Sequence, residues 1–514
     1  MWNAAGAGWT AARILKALAG WSRYAVPENV ITQIQDILSR WGKIRLLNEP
    51  ELSGKAAPAE QSGSESWLRL EIDSPEITEE LKARKAFAKW LIPDGQGFRV
   101  RLINRGTVKA ELIRIGYPVL DMVPLKDGAP LEIALKKQLD DTTPFKIRDY
   151  QQEAAAAFAG TGAPGTGFGT VVMPCGSGKT IVGMAVMEQM ATQTLILTTN
   201  VAAVHQWRSE LLHKTHLQPD QITEYTGEHK GIAPVTIATY QVLTWRKDKN
   251  SPYPHFDLLR KHPWGLIIYD EVHLLPAPVF RVTAEIQAIR RLGLTATLIR
   301  EDGAERDVFS LVGPKRFDVP WKQLEASGWI AEARCREIRI NLPPETRIPY
   351  AMADRRRKVR IAAENSRKIA IARELAENHK EDHILIIGQY IKQLEEMASH
   401  LKVPLITGKT PNQERERIYQ NFREGKDRII VVSKVANFAI DLPDASVAIQ
   451  LSGSFGSRQE EAQRLGRILR PKKRDSWFFS LVSRGTVEEE FSANRQRFLT
   501  EQGYRYSIDI WDEL

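Results

Sequence analysis

The feature that most restricts what this chain can fold into is a series of short, almost continuously apolar runs. They fall at 170–173, 195–198, 235–238, 266–269 and 292–294, and again at 384–387, 429–432, 447–451 and 477–481. A strand with one wet face alternates apolar and polar residues, whereas a run apolar on both faces needs cover on both sides. Helical stretches separate the runs, so the connections are crossovers and the strands are parallel. Two such sets predict an α/β chain with two parallel-sheet domains in tandem, over 140–345 and 366–514.

The 514 residues leave room for three or four domains, so the N-terminal part needs its own organisation. Ile14, Leu15, Leu18 and Trp21 mark one face of a short helix that a second helix can cover. Val30, Ile31, Ile34, Ile37, Leu38 and Trp41 keep helical spacing, and Ile44-Arg45-Leu46 turns strand-like. This predicts a small winged-helix-like module over 1–52. Residues 53–66 lack large apolar side chains and read as a linker. Residues 67–138 read as a compact mixed unit, with alternating strands at 67–72 and 98–103 and helical segments at 80–92 and 108–115.

A net charge of +9 favours a polyanionic partner, nucleic acid first. Cys175 and Cys335 are the two cysteines, too few for a disulfide framework and without metal-ligand spacing. They predict a reduced, intracellular chain, cytoplasmic and nucleoid-associated if the polyanion is DNA. No apolar run approaches the length of a membrane span. Residues 1–27 carry Arg13, Lys16 and Arg23 but no acid, a composition shared with transit peptides; the amphipathic-helix reading is preferred. Arg355, Arg356 and Arg357, within 346–365, read equally as a solvated helix face or as part of a nucleic-acid track.

The first run leads into Pro174-Cys175-Gly176-Ser177-Gly178-Lys179-Thr180. Small residues free backbone N–H groups to point inward at a polyphosphate, and the helix N-terminus that follows adds positive partial charge. Lys179 would reach the β- and γ-phosphates, and the Thr180 hydroxyl would sit on Mg2+. Met173 stands where the strict pattern asks for glycine, so the assignment needs support elsewhere. Asp270-Glu271-Val272-His273 supplies it directly after the run at 266–269, at the strand end where ligands bind in an open parallel sheet. Asp270 would hold Mg2+ through water, and Glu271 would act as general base. Thr295-Ala296-Thr297 ends another run, where hydroxyls can relay the γ-phosphate state. In Gln463-Arg464-Leu465-Gly466-Arg467-Ile468-Leu469-Arg470, Arg467 and Arg470 share a helix face and could stabilise a phosphoryl transition state, a role worth ~10³–10⁵ in rate.

Taken in order over two tandem sheets, GSGKT, DEVH, TAT and QRLGRILR resemble a superfamily 2 helicase. DEVH, the segment 293–303, Gly313-Pro314-Lys315-Arg316, the segment 461–467 and Arg495-Gln496-Arg497-Phe498-Leu499 are similar to the XPB branch in its bacterial and archaeal form. Ser22-Arg23-Tyr24 with Val26-Pro27 is similar to the N-terminal module of bacterial members. The resemblance covers most of the chain and implies two RecA-like motor domains, ATP and Mg2+ as cofactors, and a 3′→5′ DNA helicase acting in repair, with ATP bridging the motor domains. It assigns residues 174–180, Arg148, Gln151, Asp441 and Gln463 to ATP, with Gln151 reading adenine and Asp441 contacting ribose. Lys179, Asp270, Glu271, Arg467 and Arg470 become the catalytic set, and His273, Thr295 and Thr297 the coupling residues. Gln206, Trp207 and Thr239 fall in DNA-tracking segments, Arg300-Glu301-Asp302 in a DNA-opening motif, 346–365 in a short thumb, and 67–138 in a damage-recognition domain. Forked or partly single-stranded DNA is the implied substrate, and a nuclease or other repair protein the implied partner. The short thumb leaves open a double-stranded DNA translocase, or an ATP-driven conformational switch, that never separates strands. An RNA-remodelling ATPase and a non-catalytic scaffold are the further alternatives, and the intact catalytic set speaks against the scaffold.

Overall fold

The computed structural model describes residues 1–48, 67–139, 143–162, 165–174, 176–248, 251–275, 278–279, 283, 285–287, 289–296, 305–329, 333–433, 445–452, 476–501 and 506–511. These form two compact units. The first holds Met1–Val172 and Thr180–Asp318; the second holds Val319–Leu514 together with Met173–Lys179.

The first unit begins with three helices, α1 (Trp2–Gly6), α2 (Ala11–Trp21) and α3 (Glu28–Ser39). A five-stranded sheet follows, built from β1 (Ile44–Asn48), β2 (Trp67–Ile72), β3 (Ile92–Asp94), β4 (Gly97–Arg101) and β5 (Val119–Asp121) in the order β3-β4-β2-β1-β5. β1 lies between β2 and β5, antiparallel to the first and parallel to the second. Its Ile44 and Leu46 are fully buried in one core with Leu68, Leu70 and Val100, so residues 44–48 do not stand apart in a module of their own. The helical segment expected at 80–92 is α4 (Pro75–Ala83), placed earlier because Ser74 caps its N-terminus by accepting from the Ile77 N–H and Pro75 fits the first turn.

The helix α5 (Arg105–Arg114) is buried on two sides. Val108 and Leu112 enter the core of the five-stranded sheet, while Ala110 enters the core of the next sheet. Charge is buried here as well. Arg105 donates to Asp121 through Nε and Nη2, and Lys109 Nζ reaches both Asp121 Oδ2 and Gln287 Oε1 at 2.8 Å. Burial alone would raise the Asp121 carboxyl, but Lys109 and Arg105 outweigh it and hold it at about 2. Burial pushes Lys109 down to about 8, with Asp121 only partly opposing and Arg291 and Arg105 adding to the fall.

The second sheet is wholly parallel: β6 (Phe168–Val172), β7 (Thr194–Thr198), β8 (Ile222–Tyr225), β9 (Val235–Thr239), β10 (Leu266–Asp270), β11 (Arg290–Thr295) and β12 (Lys315–Asp318), in the order β12-β6-β11-β10-β7-β9-β8. The third sheet, in the second unit, is parallel too: β13 (Ala333–Ile340), β14 (Ile384–Gly388), β15 (Leu405–Ile406), β16 (Ile429–Ser433), β17 (Val447–Gln450), β18 (Ser476–Ser483) and β19 (Tyr506–Trp511), in the order β15-β16-β14-β17-β18-β13-β19. Each apolar run of the sequence falls on one of these strands, with Met173 and Leu451 one residue beyond β6 and β17, and the strand cores are buried on both faces as their composition requires. β13 belongs to the third sheet, so the chain changes sheet ahead of residue 345. No described helix is long and apolar enough to cross a membrane.

Candidate nucleotide site

β6 ends in a loop whose conformation its residues dictate. Gly176 and Gly178 sit at φ of +79° and +85°, in the left-handed region that a side chain disfavours. Between them Ser177 is fully buried; its Oγ donates to the Pro174 carbonyl at 2.6 Å and its N–H reaches the same oxygen at 3.3 Å. Met173 is fully buried, so an apolar side chain at that position serves the core and leaves the loop its shape. The helix α6 (Asp149–Ala159) precedes β6, and α7 (Lys179–Met190) follows the loop with Lys179 and Thr180 in its first turn. Alternating glycine N–H groups ahead of a helix N-terminus make a concavity suited to phosphate oxygens. Cys175 lies outside the described residues.

The carboxylates arrive two strands away, with β11 between β6 and β10. Leu266 to Tyr269 are fully buried and Asp270 emerges half-buried at the strand end. Two side chains hold it. Trp207, on α8 (Val201–Lys214), donates its indole N–H to Asp270 Oδ2 at 2.9 Å, and the Tyr240 hydroxyl donates to the Asp270 backbone carbonyl at 2.9 Å. Burial and the nearby Asp270 push the Tyr240 hydroxyl well above its ordinary value, which keeps it a donor. The next residue, Glu271, adopts a left-handed conformation at φ +50°, ψ +54°. For a residue with a side chain this is local strain of roughly 1–3 kcal/mol, the kind held at functional sites by its surroundings. His273 Nδ1 lies 3.3 Å from Glu271 Oε2 and 2.6 Å from Thr295 Oγ1, with its side chain 1% exposed. Thr295 at the end of β11, His273 and Glu271 therefore form one chain of contacts.

At the start of α6 the Gln151 carboxamide oxygen accepts from the Arg148 N–H at 3.0 Å, and Arg148 Nη1 donates to the Tyr150 hydroxyl at 3.0 Å. This fixes the plane of the amide expected to read adenine.

Two of the residues expected to track DNA are interior. Trp207 is 2% exposed and faces Asp270, and its ring covers Gly183 on α7, where a Cβ would stand 2.6 Å from Trp207 Cη2. Thr239 is 3% exposed, and its hydroxyl accepts from the Val242 N–H at 3.2 Å to cap α9 (Tyr240–Thr244). Gln206 beside Trp207 is exposed, as are Arg355, Arg356 and Arg357 on the helix Arg355–Ala363, which Asp354 caps through the Arg357 N–H. Thr297, Arg300, Glu301, Asp302, Asp441, Gln463, Arg467 and Arg470 lie outside the described residues. Among those described, no group of three or more His, Cys, Asp or Glu side chains gathers as a metal cage.

The second unit contains a device with no local sequence signal. Lys368, fully buried, donates to Glu488 Oε2 at 2.7 Å and to the Leu451 carbonyl at 3.0 Å. Glu488 also accepts from the Ser483 N–H at 2.9 Å. The pair pins the chain just beyond β17, upstream of the segment that carries Arg467 and Arg470.

The profile for the ERCC3/RAD25/XPB C-terminal helicase matches residues 324–510. The profile for the type III restriction enzyme res subunit matches 144–300, and that for the helicase conserved C-terminal domain matches 1–94. The chain is 46% identical to the DNA 3′-5′ helicase XPB of Mycobacterium tuberculosis over 516 residues, spanning 100% of this chain and 90% of that protein. It is 45% identical to the DNA 3′-5′ helicase XPB of Kineococcus radiotolerans, over 100% of this chain and 88% of that protein. Among solved structures, a fragment of an HsdR subunit of a type I restriction enzyme from Vibrio vulnificus superposes with a TM-score of 0.51 at 19% identity, covering 71% of this chain and 69% of that one, a likeness of fold. With relatives of this identity along its whole length, the chain belongs to the ERCC3/RAD25/XPB family of helicases.

Proposed function

We propose that this chain is an ATP-driven DNA motor of 3′→5′ polarity that opens DNA during repair. The observation that carries the reading is the pairing, at strand ends of one parallel sheet, of a glycine-shaped loop with a carboxylate held by Trp207. In this reading the loop N–H groups and Lys179 bind the phosphates of ATP, Gln151 reads adenine, Asp441 contacts ribose and Gln463 adds a further contact. A loop of this shape after one strand and an oriented carboxylate after another strand of the same sheet suit Mg2+, which takes few protein ligands and keeps phosphate oxygens and water; Thr180 and Asp270 would hold it, and bound there it would neutralise phosphate charge. Glu271 takes the proton from the attacking water, and Arg467 and Arg470 stabilise the charge on the transferring phosphoryl group. His273 and Thr295 pass the state of Glu271 to β11 and on toward Thr297. Arg300, Glu301, Asp302, Gln206, Arg355, Arg356 and Arg357 are the DNA contacts of this reading. Residues 346–365 act as its thumb, 67–138 recognise damage, a nuclease or other repair protein is its partner, and its place is the cytoplasm, at the nucleoid.

One relative, from Encephalitozoon cuniculi, is named as a helicase/translocase subunit at 32% identity over 99% of this chain and 75% of that protein, which favours translocation on duplex DNA as the second reading. The deciding experiment measures ATP turnover and strand displacement on forked DNA of each polarity, beside triplex displacement and stimulation by RNA of matched sequence. Forked DNA with a 3′ tail is expected to be opened, and Lys179→Ala is expected to lose turnover. Triplex displacement without strand separation selects the translocase; stimulation by RNA alone selects the RNA remodeller.

A further inference from the structure

Residues 1–27 carry three cations, Arg13, Lys16 and Arg23, and no acid; the first carboxylate is Glu28. In the structure α2 is capped by Thr10 and packs on α3, with Ile14 buried and Leu15 and Leu18 half-buried. Its solvent side runs through Ala12, Arg13, Lys16, Ala19 and Gly20, which share one stripe at helical spacing. Aromatic rings stand in water at both ends of that stripe. Trp9 lies under the Arg13 guanidinium, 4.3 Å from its centroid. Beyond the other end Trp21 is 92% exposed and Tyr24 77% exposed, with Arg23 over the Tyr24 ring at 5.7 Å. The sequence pattern puts Trp21 on the face that α3 covers, yet the helix ends there and the ring projects past its neighbour. The helical rise sets Arg13 and Trp21 roughly 12 Å apart along the axis.

We propose that residues 9–24 form a stacking platform for single-stranded DNA, apart from the two parallel sheets. The proposal rests on the reading of this chain as a DNA motor and gives the DNA an added contact. Exposed rings accept the face of any base, the cations between them follow the phosphates, and the small residues of the stripe let the backbone come close. Charge and geometry set the other occupants aside. A second copy docked on the same stripe would bring three cations against three cations with no acid to receive them. A lipid surface needs a free apolar face opposite the charges, and here Ile14, Leu15 and Leu18 are turned to α3.

The test uses the full chain and a fluorescent oligo-dT probe, with anisotropy titrations at several salt concentrations. Trp21→Ala and Tyr24→Ala are each expected to weaken binding roughly 5- to 160-fold, and the double variant by about the product of the two single losses. Arg13→Gln and Lys16→Gln are each expected to lower the slope of log affinity against log salt by about 0.7. ATP hydrolysis without DNA reports that each variant is folded. DNA-stimulated turnover of the wild-type chain together with unchanged oligo-dT affinity in the double variant overturns the platform alone; absence of any DNA stimulation in the wild type overturns the motor reading beneath it. Trp21-dependent sedimentation with anionic phosphatidylserine vesicles, or a Trp21-dependent dimer in ultracentrifugation, with oligo-dT affinity unaffected, overturns the proposal in favour of lipid or of self-association.

Discussion

Replacing Trp207 by Phe tests how Asp270, the carboxylate proposed to hold Mg2+, is oriented. Phe keeps an aromatic ring over Gly183 but removes the N–H that reaches Asp270 Oδ2 at 2.9 Å. A neutral donor to a half-buried carboxylate contributes about 1.5–3 kcal/mol, which corresponds to roughly 10- to 100-fold in a rate or binding constant. Asp270 keeps its backbone anchor through Tyr240, so the loss falls on the direction of its carboxylate and leaves its position. Turnover measured against ATP and Mg2+ concentration, at saturating DNA, is therefore expected to show kcat/KM for Mg2+-ATP reduced roughly 10- to 100-fold, with the Mg2+ needed for half-activation raised. DNA affinity in the same preparation is expected to stay within about twofold, because a side chain 2% exposed does not meet the substrate. Weakened DNA binding with normal Mg2+-ATP kinetics would refute the reasoning and return Trp207 to the DNA track. So would normal values of both.

Gly183→Ala places a Cβ against the rigid Trp207 ring and is expected to cost about 1–3 kcal/mol, with recovery in the double variant Gly183→Ala/Trp207→Phe, measured as non-additive denaturation midpoints. Asp121→Asn leaves Arg105 and Lys109 buried without their counter-charge and is expected to cost about 3–5 kcal/mol of stability. The same cluster sets two pH windows. Asp121, lowered to about 2, lends stability that is present above the ordinary carboxyl value and is lost as pH falls toward 2, while Lys109, lowered to about 8, makes stability rise with pH from there to the ordinary lysine value, because the unfolded chain keeps a proton that the folded one releases. Denaturation midpoints across both windows check the signs, and Lys109→Met is expected to remove the alkaline rise. Glu488→Gln strands Lys368 in the second core and is expected to cost about 3–5 kcal/mol, with much of it regained in Lys368→Met/Glu488→Met.

The interior of both parallel sheets was legible because strands covered on two faces must be apolar throughout. β8, β12, β15 and β19 have no counterpart among the apolar runs, and all four are sheet edges. An edge has a neighbour on one side only, and segments such as Lys315–Asp318 keep charged residues there, so the run is broken. β13, one strand in from β19, alternates instead and hides the same way. At the candidate nucleotide site, glycines with positive φ and acids after a buried strand announce themselves, since the proposed phosphate and metal binding would demand those residue types at those places. Trp207 does not. Its bond to Asp270 joins positions 63 apart in sequence, and a tryptophan beside an exposed glutamine looks the same on paper whether it faces solvent or the core. Lys368 and Glu488, 120 residues apart, are silent for the same reason.

The helix α5, with Val108 and Leu112 in one core and Ala110 and Lys109 reaching the other, has a consequence for how such chains can be recombined. Residues 44–121 and the first parallel sheet make a single cassette. A graft that exchanged the N-terminal sheet between relatives would bring a foreign helix against Gln287 and put at risk the Lys109 ammonium that its buried carboxamide oxygen accepts from. Inheritance of the two together is the exchange that keeps both cores closed.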